Sequence, residues 1–211
     1  MKPVARARHT VILLIILAAL SVSTYRANAQ RPAGRAPQHR IVLYVSVIGA
    51  ETLLLWYVVS GLSGVALRDL IGRVAPIDIL TAAAFWFVAR YAMIALKRAL
   101  GGVDDRTMGL TPQSIGEKVA WVAVSIVAGV VEETVFRGYF QRQFAAWTQS
   151  VAAGVVLQAI IFGASHGYQG VKPMIGISVY GAMFGLLAWW RRSLVPGMLA
   201  HLWTDIYGGF F

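Results

Sequence analysis

The chain has 211 residues, of which 58% are apolar and 13% are charged, and 19 lysines and arginines against 9 acids give it a net charge of +10. Since soluble domains carry about 25% charged residues, this composition excludes an ordinary soluble globular protein. The chain has no cysteine, which excludes disulfides, thiolate catalysis and thiolate metal sites. Most lysines and arginines lie in short loops between apolar blocks, so we expect anionic lipid head groups as partners and no nucleic acid.

Seven apolar blocks follow one another along the chain, each close to the length of a membrane-crossing helix. Such a helix needs about 20 apolar residues, and lipid offers the backbone no hydrogen-bond partner, so the blocks are predicted to be helical. The predicted fold class is all-α, a polytopic integral membrane bundle with six or seven transmembrane helices. The blocks are residues 10–25, 41–67, 77–96, 119–140, 151–165, 173–190 and 194–211.

The sequence predicts three regions. Residues 1–40 combine a signal-like or first transmembrane segment with a basic linker that contains Arg31 and Arg35. Residues 27–29 read Ala-Asn-Ala, which has the small-x-small form of a signal-peptidase site, but we favour an uncleaved first span. Residues 41–116 hold membrane helices outside the polar motifs, and residues 117–211 hold the motifs.

Three groups of polar side chains lie within the last four apolar blocks. An ionised side chain at membrane depth costs about 2.5 to 3.5 kcal/mol on insertion scales, so such groups must face protein or water and be paired. Positions four apart share one face of a helix, and carboxylates and imidazoles from three helices could therefore converge on one cavity. The groups are Glu132, Glu133 and Arg137; His166 after Phe162; and His201 with Asp205.

The chemistry that these side chains support is the activation of water. A glutamate in an apolar pocket is a usable general base, and histidine titrates near neutral pH. Two histidines and a carboxylate also describe a catalytic zinc site, whose ligands would be Glu132, His166 and His201. The metalloprotease helix signature, with two histidines four apart and a glutamate between them, is absent. We favour a site without a cofactor and keep Zn²⁺ as the alternative.

The three motifs, in this order on successive apolar segments, resemble the CAAX protease and bacteriocin-processing (CPBP, Abi) family of intramembrane endopeptidases. They are Glu-Glu-x-x-x-Arg at 132–137, Phe-x-x-x-His at 162–166 and His-x-x-x-Asp at 201–205. The resemblance covers roughly residues 117–209 and implies that residues 117–211 form a CAAX-protease-like catalytic membrane domain. It implies hydrolysis of peptide bonds in membrane-associated proteins or peptides.

Carried over residue by residue, the resemblance implies that Glu132 is the general base and His166 its catalytic partner. It places His201 and Asp205 on the oxyanion side, with Glu133 and Arg137 as supporting residues. Since an ionised aspartate is a poor donor, we expect His201 to donate and Asp205 to orient it. The alternatives are a zinc-dependent version of the same protease and a non-catalytic membrane scaffold or immunity protein. The expected location is a bacterial inner membrane.

One geometric conflict accompanies this interpretation. If Phe140, Val151 and Leu194 mark one membrane face, Glu132 and His201 lie about 10 to 12 Å from that face, while His166 lies about 22 Å away. A shared site then requires the block 151–165 to begin outside the hydrocarbon, near Trp147, or to be strongly tilted. Glu51 is buried by the same reasoning as the motif glutamates but belongs to no motif, and we assign it no role.

Overall fold

A computed structural model of the chain describes residues 1–30, 39–102 and 108–211, and every regular element in these ranges is helical. The predicted all-α polytopic bundle is confirmed. Residues 31–38, which contain most of the predicted basic linker, lie outside the described residues. A π-helical segment, Glu133–Phe140, joins α5 to α6, and 3₁₀ turns lie at Met108–Leu110 and Gly167–Gln169. The helices are α1 (Ala7–Ala29), α2 (Arg40–Ser60), α3 (Leu67–Ile71), α4 (Ile77–Ala99), α5 (Ile115–Glu132), α6 (Gln141–Thr148), α7 (Val151–Ser165), α8 (Val171–Arg191) and α9 (Val195–Phe210).

Five helical stretches in the described ranges are long and apolar enough to cross a membrane. They are α1, α2, α4, α8 and the continuous stretch Ile115–Thr148 that contains α5, the π segment and α6. Helices α7 and α9 are shorter, at 15 and 16 residues. Large apolar side chains such as Trp56, Phe87 and Trp190 lie exposed on the outside of the bundle, where lipid can cover them. The chain is an integral membrane protein.

The second apolar block forms a shorter helix than its composition predicts. Helix α2 ends at Ser60, and Gly64 then adopts a positive φ of 71° that a side chain would disfavour. The N-terminal residues occupy the space beyond the helix end, because the Ser63 amide donates to the Val4 carbonyl at 2.9 Å. The amides of Val4 and Ala5 in turn donate to Oε1 of Gln143, at 2.9 and 3.1 Å. The segment before α1 is therefore held at α6.

The fourth block forms a longer helical stretch than predicted, from Ile115 to Thr148 rather than from 119 to 140. It begins with a capping box in which Ser114 Oγ accepts from the Glu117 amide and Glu117 accepts from the Ser114 amide, both at 3.2 Å. It continues past Phe140 because the next polar side chains bind backbone groups of other helices. Gln141 Nε2, for example, donates to the Gly185 carbonyl at 3.0 Å.

This extension removes the conflict of depth. The turn between α6 and α7 lies at residues 149–150. Measured along the helices from this turn, Glu132 lies sixteen residues before Thr148, about 24 Å away, and His166 lies fifteen residues after Val151, about 22 Å away. Leu194 lies beside Gly138, since a Cβ at Gly138 would be 3.1 Å from Leu194 Cδ1. Phe140, Val151 and Leu194 therefore do not mark one level, and the assumption that they do was wrong. Glu132 and His166 end at a similar depth.

Candidate functional site

A buried ion pair, Glu133 with Arg137, lies in the first turn of the π segment. Arg137 Nη1 is 3.0 Å from Glu133 Oε1, and the two side chains are 0% and 1% exposed. Arg137 Nη2 also donates to the Gly181 carbonyl at 3.3 Å, and the guanidinium lies 4.3 Å from the centroid of the Phe162 ring. π-Helical turns inside α-helices are frequently found at functional sites. The pair predicted from the spacing is present and fixes the orientation of the Glu133 carboxylate.

His201 of α9 completes this buried cluster. Its Nδ1 lies 3.0 Å from Glu133 Oε1, and because an ionised carboxylate only accepts, Nδ1–H is the donor. Its Nε2 lies 3.7 Å from Glu132 Oε2 and 3.9 Å from Asp205 Oδ2. The carboxylate that orients His201 is therefore Glu133, where the sequence predicted Asp205.

Helix packing explains why Glu133, and not Asp205, binds Nδ1 of His201. Gly197 faces the Glu133 carboxylate, and a Cβ in its place would lie only 2.9 Å from Glu133 Oε2. The absence of a side chain at this position lets the carboxylate reach α9 one turn before His201. Asp205, one turn after His201 on the same helix, is left beside the opposite nitrogen, Nε2. The spacing of residues along a helix cannot show which of these two carboxylates lies closer to the His201 ring.

The two adjacent glutamates have different environments. The Glu133 side chain is 1% exposed, whereas that of Glu132 is 14% exposed. Glu132 Oε2, the oxygen that faces His201 Nε2, is buried and has no hydrogen-bond partner among the described residues. An ionisable oxygen in this state is costly unless a reacting group uses it. Glu133 Oε2 also has no partner, so the two carboxylates differ in exposure and in the contacts of Glu133 Oε1 with Arg137 and His201.

His166 ends α7 and reaches the cluster through an aromatic ring. Its Nδ1 lies 2.8 Å from the Phe162 carbonyl oxygen and 3.2 Å from Ser165 Oγ. Because a carbonyl only accepts, Nδ1 carries the proton and Nε2 is left as an acceptor. The Phe162 ring packs against His166, with 4.9 Å between centroids, and against His201, with 6.2 Å. Phe162 thus connects His166 to His201, which in turn lies beside Glu132.

Sequence reasoning missed two residues of this region. It quoted Phe162 as part of a motif but gave it no role, although its ring contacts Arg137, His166 and His201. It did not consider Tyr168, on the 3₁₀ turn after His166. Burial raises the pKa of the Tyr168 phenol, and the charges of Glu132 and Asp205 act in the same direction, so the phenol remains a neutral donor near both carboxylates. No spacing in the sequence distinguishes this tyrosine from the others.

The predicted zinc ligands do not form a ligand set in this geometry. In residues 1–30, 39–102 and 108–211, no group of three histidine, aspartate or glutamate side chains is arranged to hold a metal ion.

One comparison with known proteins identifies a family over part of the chain. Residues 114–207 match the sequence model of the family described as type II CAAX prenyl endopeptidase Rce1-like. No curated protein and no solved structure matches the chain. The match contains all three motifs and nearly coincides with the region 117–209 that they delimit, so the resemblance to the CAAX protease family is confirmed. This similarity to a family of endopeptidases over residues 114–207 suggests a peptidase.

Proposed function

We propose, from the similarity of residues 114–207 to the type II CAAX prenyl endopeptidases, that the chain is an intramembrane endopeptidase that hydrolyses membrane-associated proteins or peptides. The observation that carries this proposal is the buried, unpartnered Oε2 of Glu132, which lies 3.7 Å from His201 Nε2. A general base needs an accessible lone pair at the position of the attacking water. Glu133 Oε1 is occupied by Arg137 and His201, and although its Oε2 has no partner either, the side chain is only 1% exposed against 14% for Glu132, so Glu132 is the carboxylate that water can reach.

In the proposed reaction, Glu132 takes a proton from water while the water oxygen forms a bond to the carbonyl carbon of the substrate. Nε2 of His166, the free acceptor of that ring, helps to hold the water. When the carbon–nitrogen bond breaks, the proton passes from Glu132 to the leaving amine. Each proton removed from water is thus returned, and the enzyme needs no further reactant.

The oxyanion of the tetrahedral intermediate would be stabilised by His201. Glu132, Glu133 and Asp205 surround this imidazole, and nearby negative charges favour the imidazolium form. With Nδ1–H bound to Glu133, Nε2–H is the donor that remains. One oxyanion donor contributes about 10²- to 10³-fold to the rate. Arg137 acts indirectly, because its contact with Glu133 Oε1 holds that carboxylate in place beside His201.

The substrate class and the location belong to the same proposal. The expected substrate is an unprenylated membrane protein or peptide in a bacterial inner membrane. Anionic lipid head groups would bind basic residues at helix ends, such as Lys97 and Arg98 in the last turn of α4.

The experiment that tests the activity compares the peptide termini of membrane proteins from cells with the wild type, Glu132→Gln or Asp78→Asn. Asp78 is a buried carboxylate of another ion pair and serves as the matched control. We expect new termini with the wild type and with Asp78→Asn, and none with Glu132→Gln. Identical termini in all three membranes would contradict the proposal and favour a non-catalytic scaffold.

A further inference from the structure

Helix α1 lies outside the region that matches the family, yet one of its faces packs against that region. Thr10, Leu13 and Leu17 are buried on this face, and Thr10 Oγ1 lies 2.9 Å from the hydroxyl of Tyr139 in the π segment. Asn28 follows Thr10 by eighteen residues, which is five full turns, so it lies on the same face about 27 Å further along the helix. The rotation of α1 that buries Thr10 therefore also directs Asn28 toward the bundle.

Asn28 binds the turn that follows the candidate catalytic histidine. Its Nδ2 donates to the backbone carbonyl of Tyr168 at 2.7 Å, and because a carbonyl oxygen only accepts, the donor is the amide nitrogen. Tyr168 is the central residue of the 3₁₀ turn Gly167–Gln169, which starts directly after His166. In the ranges that the structure describes, Asn28 is the only helix side chain that hydrogen-bonds this turn.

The turn and His166 form one local unit. The Gln169 amide donates to the His166 carbonyl at 2.9 Å, and the rings of His166 and Tyr168 are stacked with 6.2 Å between centroids. Gln169 Nε2 also donates to the Tyr168 hydroxyl at 3.1 Å. His166 ends α7, and helix ends are where backbone groups lose their helical partners and where local opening is easiest. A displacement of the turn would therefore move the imidazole of His166.

Asn28 is the central residue of the Ala-Asn-Ala pattern that resembles a signal-peptidase site. In the structure this pattern is the last part of α1, which remains helical to Ala29. Ala27 and Ala29 are exposed, whereas Asn28 is half-buried. The contact with Tyr168 is thus specific to the one polar side chain of the pattern.

We propose that Asn28 is a positioning residue, whose hydrogen bond to Tyr168 holds the 3₁₀ turn and, through the turn, keeps the imidazole of His166 in place beside the attacking water. This inference rests on the proposed function, because it assigns Asn28 a role in the same reaction. Asn28 does not touch the substrate and exchanges no proton. Helix α1 then contributes to the candidate site from outside the matched region.

Two substitutions separate this role from a purely structural one. Asn28→Asp and Asn28→Leu both remove the donor with little change of volume. We expect kcat per folded molecule to fall about tenfold in each, with KM within about twofold of the wild type, because the ring that holds the water is displaced while the substrate keeps its contacts. If Asn28 only braces two helices, both variants lose stability but keep the wild-type kcat per folded molecule, and that result would overturn the proposal.

The controls use the same helix and the same histidine. Thr24 is exposed one turn before Asn28, and its hydroxyl bonds only carbonyls of its own helix, at Leu20 and Ser21, so Thr24→Val should leave kcat unchanged. In a His166→Ala background, Asn28→Asp should cause no further loss of the residual rate, because Asn28 acts through His166. A full additional loss in that background would show that Asn28 acts elsewhere, and would contradict the proposal.

A second measurement does not depend on peptidase activity. The amides of Gln169 and Gly170 close the turn, and their hydrogen–deuterium exchange in lipid vesicles should be about 2- to 10-fold faster in Asn28→Asp, the factor that one hydrogen bond is worth. Thr24→Val should keep the wild-type rate of exchange. If exchange is unchanged in Asn28→Asp, Asn28 does not hold the turn and the inference is wrong. If exchange is faster but the wild type cleaves no substrate, the proposed function fails while the contact of Asn28 with the turn stands.

Discussion

Two buried pairs of arginine and carboxylate within residues 1–30, 39–102 and 108–211 look alike in isolation. Arg137 lies 3.0 Å from Glu133 in the π segment, and Arg191 of α8 lies 3.0 Å from Asp78 of α4. Both carboxylate side chains are 1% exposed. Beyond the pair, Glu133 contacts His201, whereas Asp78 accepts a hydrogen bond from the Ala75 amide at 2.8 Å. Burial of the ion pair is therefore common to both regions. The candidate site differs from the other pair in that its carboxylate, Glu133, also binds a histidine.

The largest difference should appear in stability when each arginine is replaced by methionine. Arg137→Met leaves the buried Glu133 carboxylate with His201 as its remaining partner and without its guanidinium counter-charge, and we expect the free energy of unfolding to fall by about 3 to 5 kcal/mol. Arg191 is 17% exposed and Asp78 keeps its backbone donor, so Arg191→Met should cost about 1 to 3 kcal/mol. Denaturant titration in detergent micelles measures both. Equal losses would show that the two pairs have the same environment.

A second difference concerns activity per folded molecule. Glu133→Gln weakens the orientation of His201, and we expect the rate of peptide cleavage to fall about 10²- to 10⁴-fold. Asp78→Asn breaks the other pair and should leave that rate unchanged. Both rates are measured with purified protein in lipid vesicles and corrected for the folded fraction. A loss of similar size in Asp78→Asn would remove the distinction between the pairs.

A smaller effect is expected at the ring that Arg137 shares with both histidines. Phe162→Leu keeps an apolar side chain but removes the cation–π contact at 4.3 Å and the ring contacts with His166 and His201. We expect a loss of stability of about 0.5 to 2 kcal/mol and a lower cleavage rate. Phe87→Leu, on the exposed face of α4, is the control and should change neither quantity.

The smallest effect should follow complete chelation of divalent metals. Since the three candidate ligands form no ligand set in the structure, we expect the cleavage rate to remain unchanged after dialysis against a chelator. Metal analysis of the same sample checks that removal was complete. A loss of activity that Zn²⁺ restores would support the zinc-dependent alternative and require the site to rearrange.

The sequence predicted the helical bundle and the Glu133–Arg137 pair because both depend on local properties, apolar composition and a spacing of four on one helix. It ended the fourth helix too early because Gln141, Arg142 and Gln143 interrupt the apolar pattern. Arg142, for example, donates to the Asp69 and Leu70 carbonyls at 2.7 and 2.9 Å. Partners so distant in the chain leave no local pattern.

The candidate site also combines features that the sequence predicts with contacts between distant residues that it does not. The resemblance implied different roles for Glu132 and Glu133, and their side chains differ in exposure, at 14% and 1%. The bond between His201 and Glu133 could not be predicted, because it depends on the close approach of two helices at Gly197. Glu51 and Tyr168 lie within electrostatic range of the site through the packing of α2 and of the turn after α7, and no motif in the sequence indicates either position.

The most direct test of the central claim is the cleavage rate of purified Glu132→Gln in lipid vesicles, on a peptide identified from the comparison of membranes. The substitution keeps the shape of the side chain and removes the lone pair that accepts the proton of water. We predict cleavage by the wild type and a rate lower by about 10²- to 10⁴-fold in the variant, with folding unchanged. A folded Glu132→Gln protein that cleaves at the wild-type rate would contradict the account.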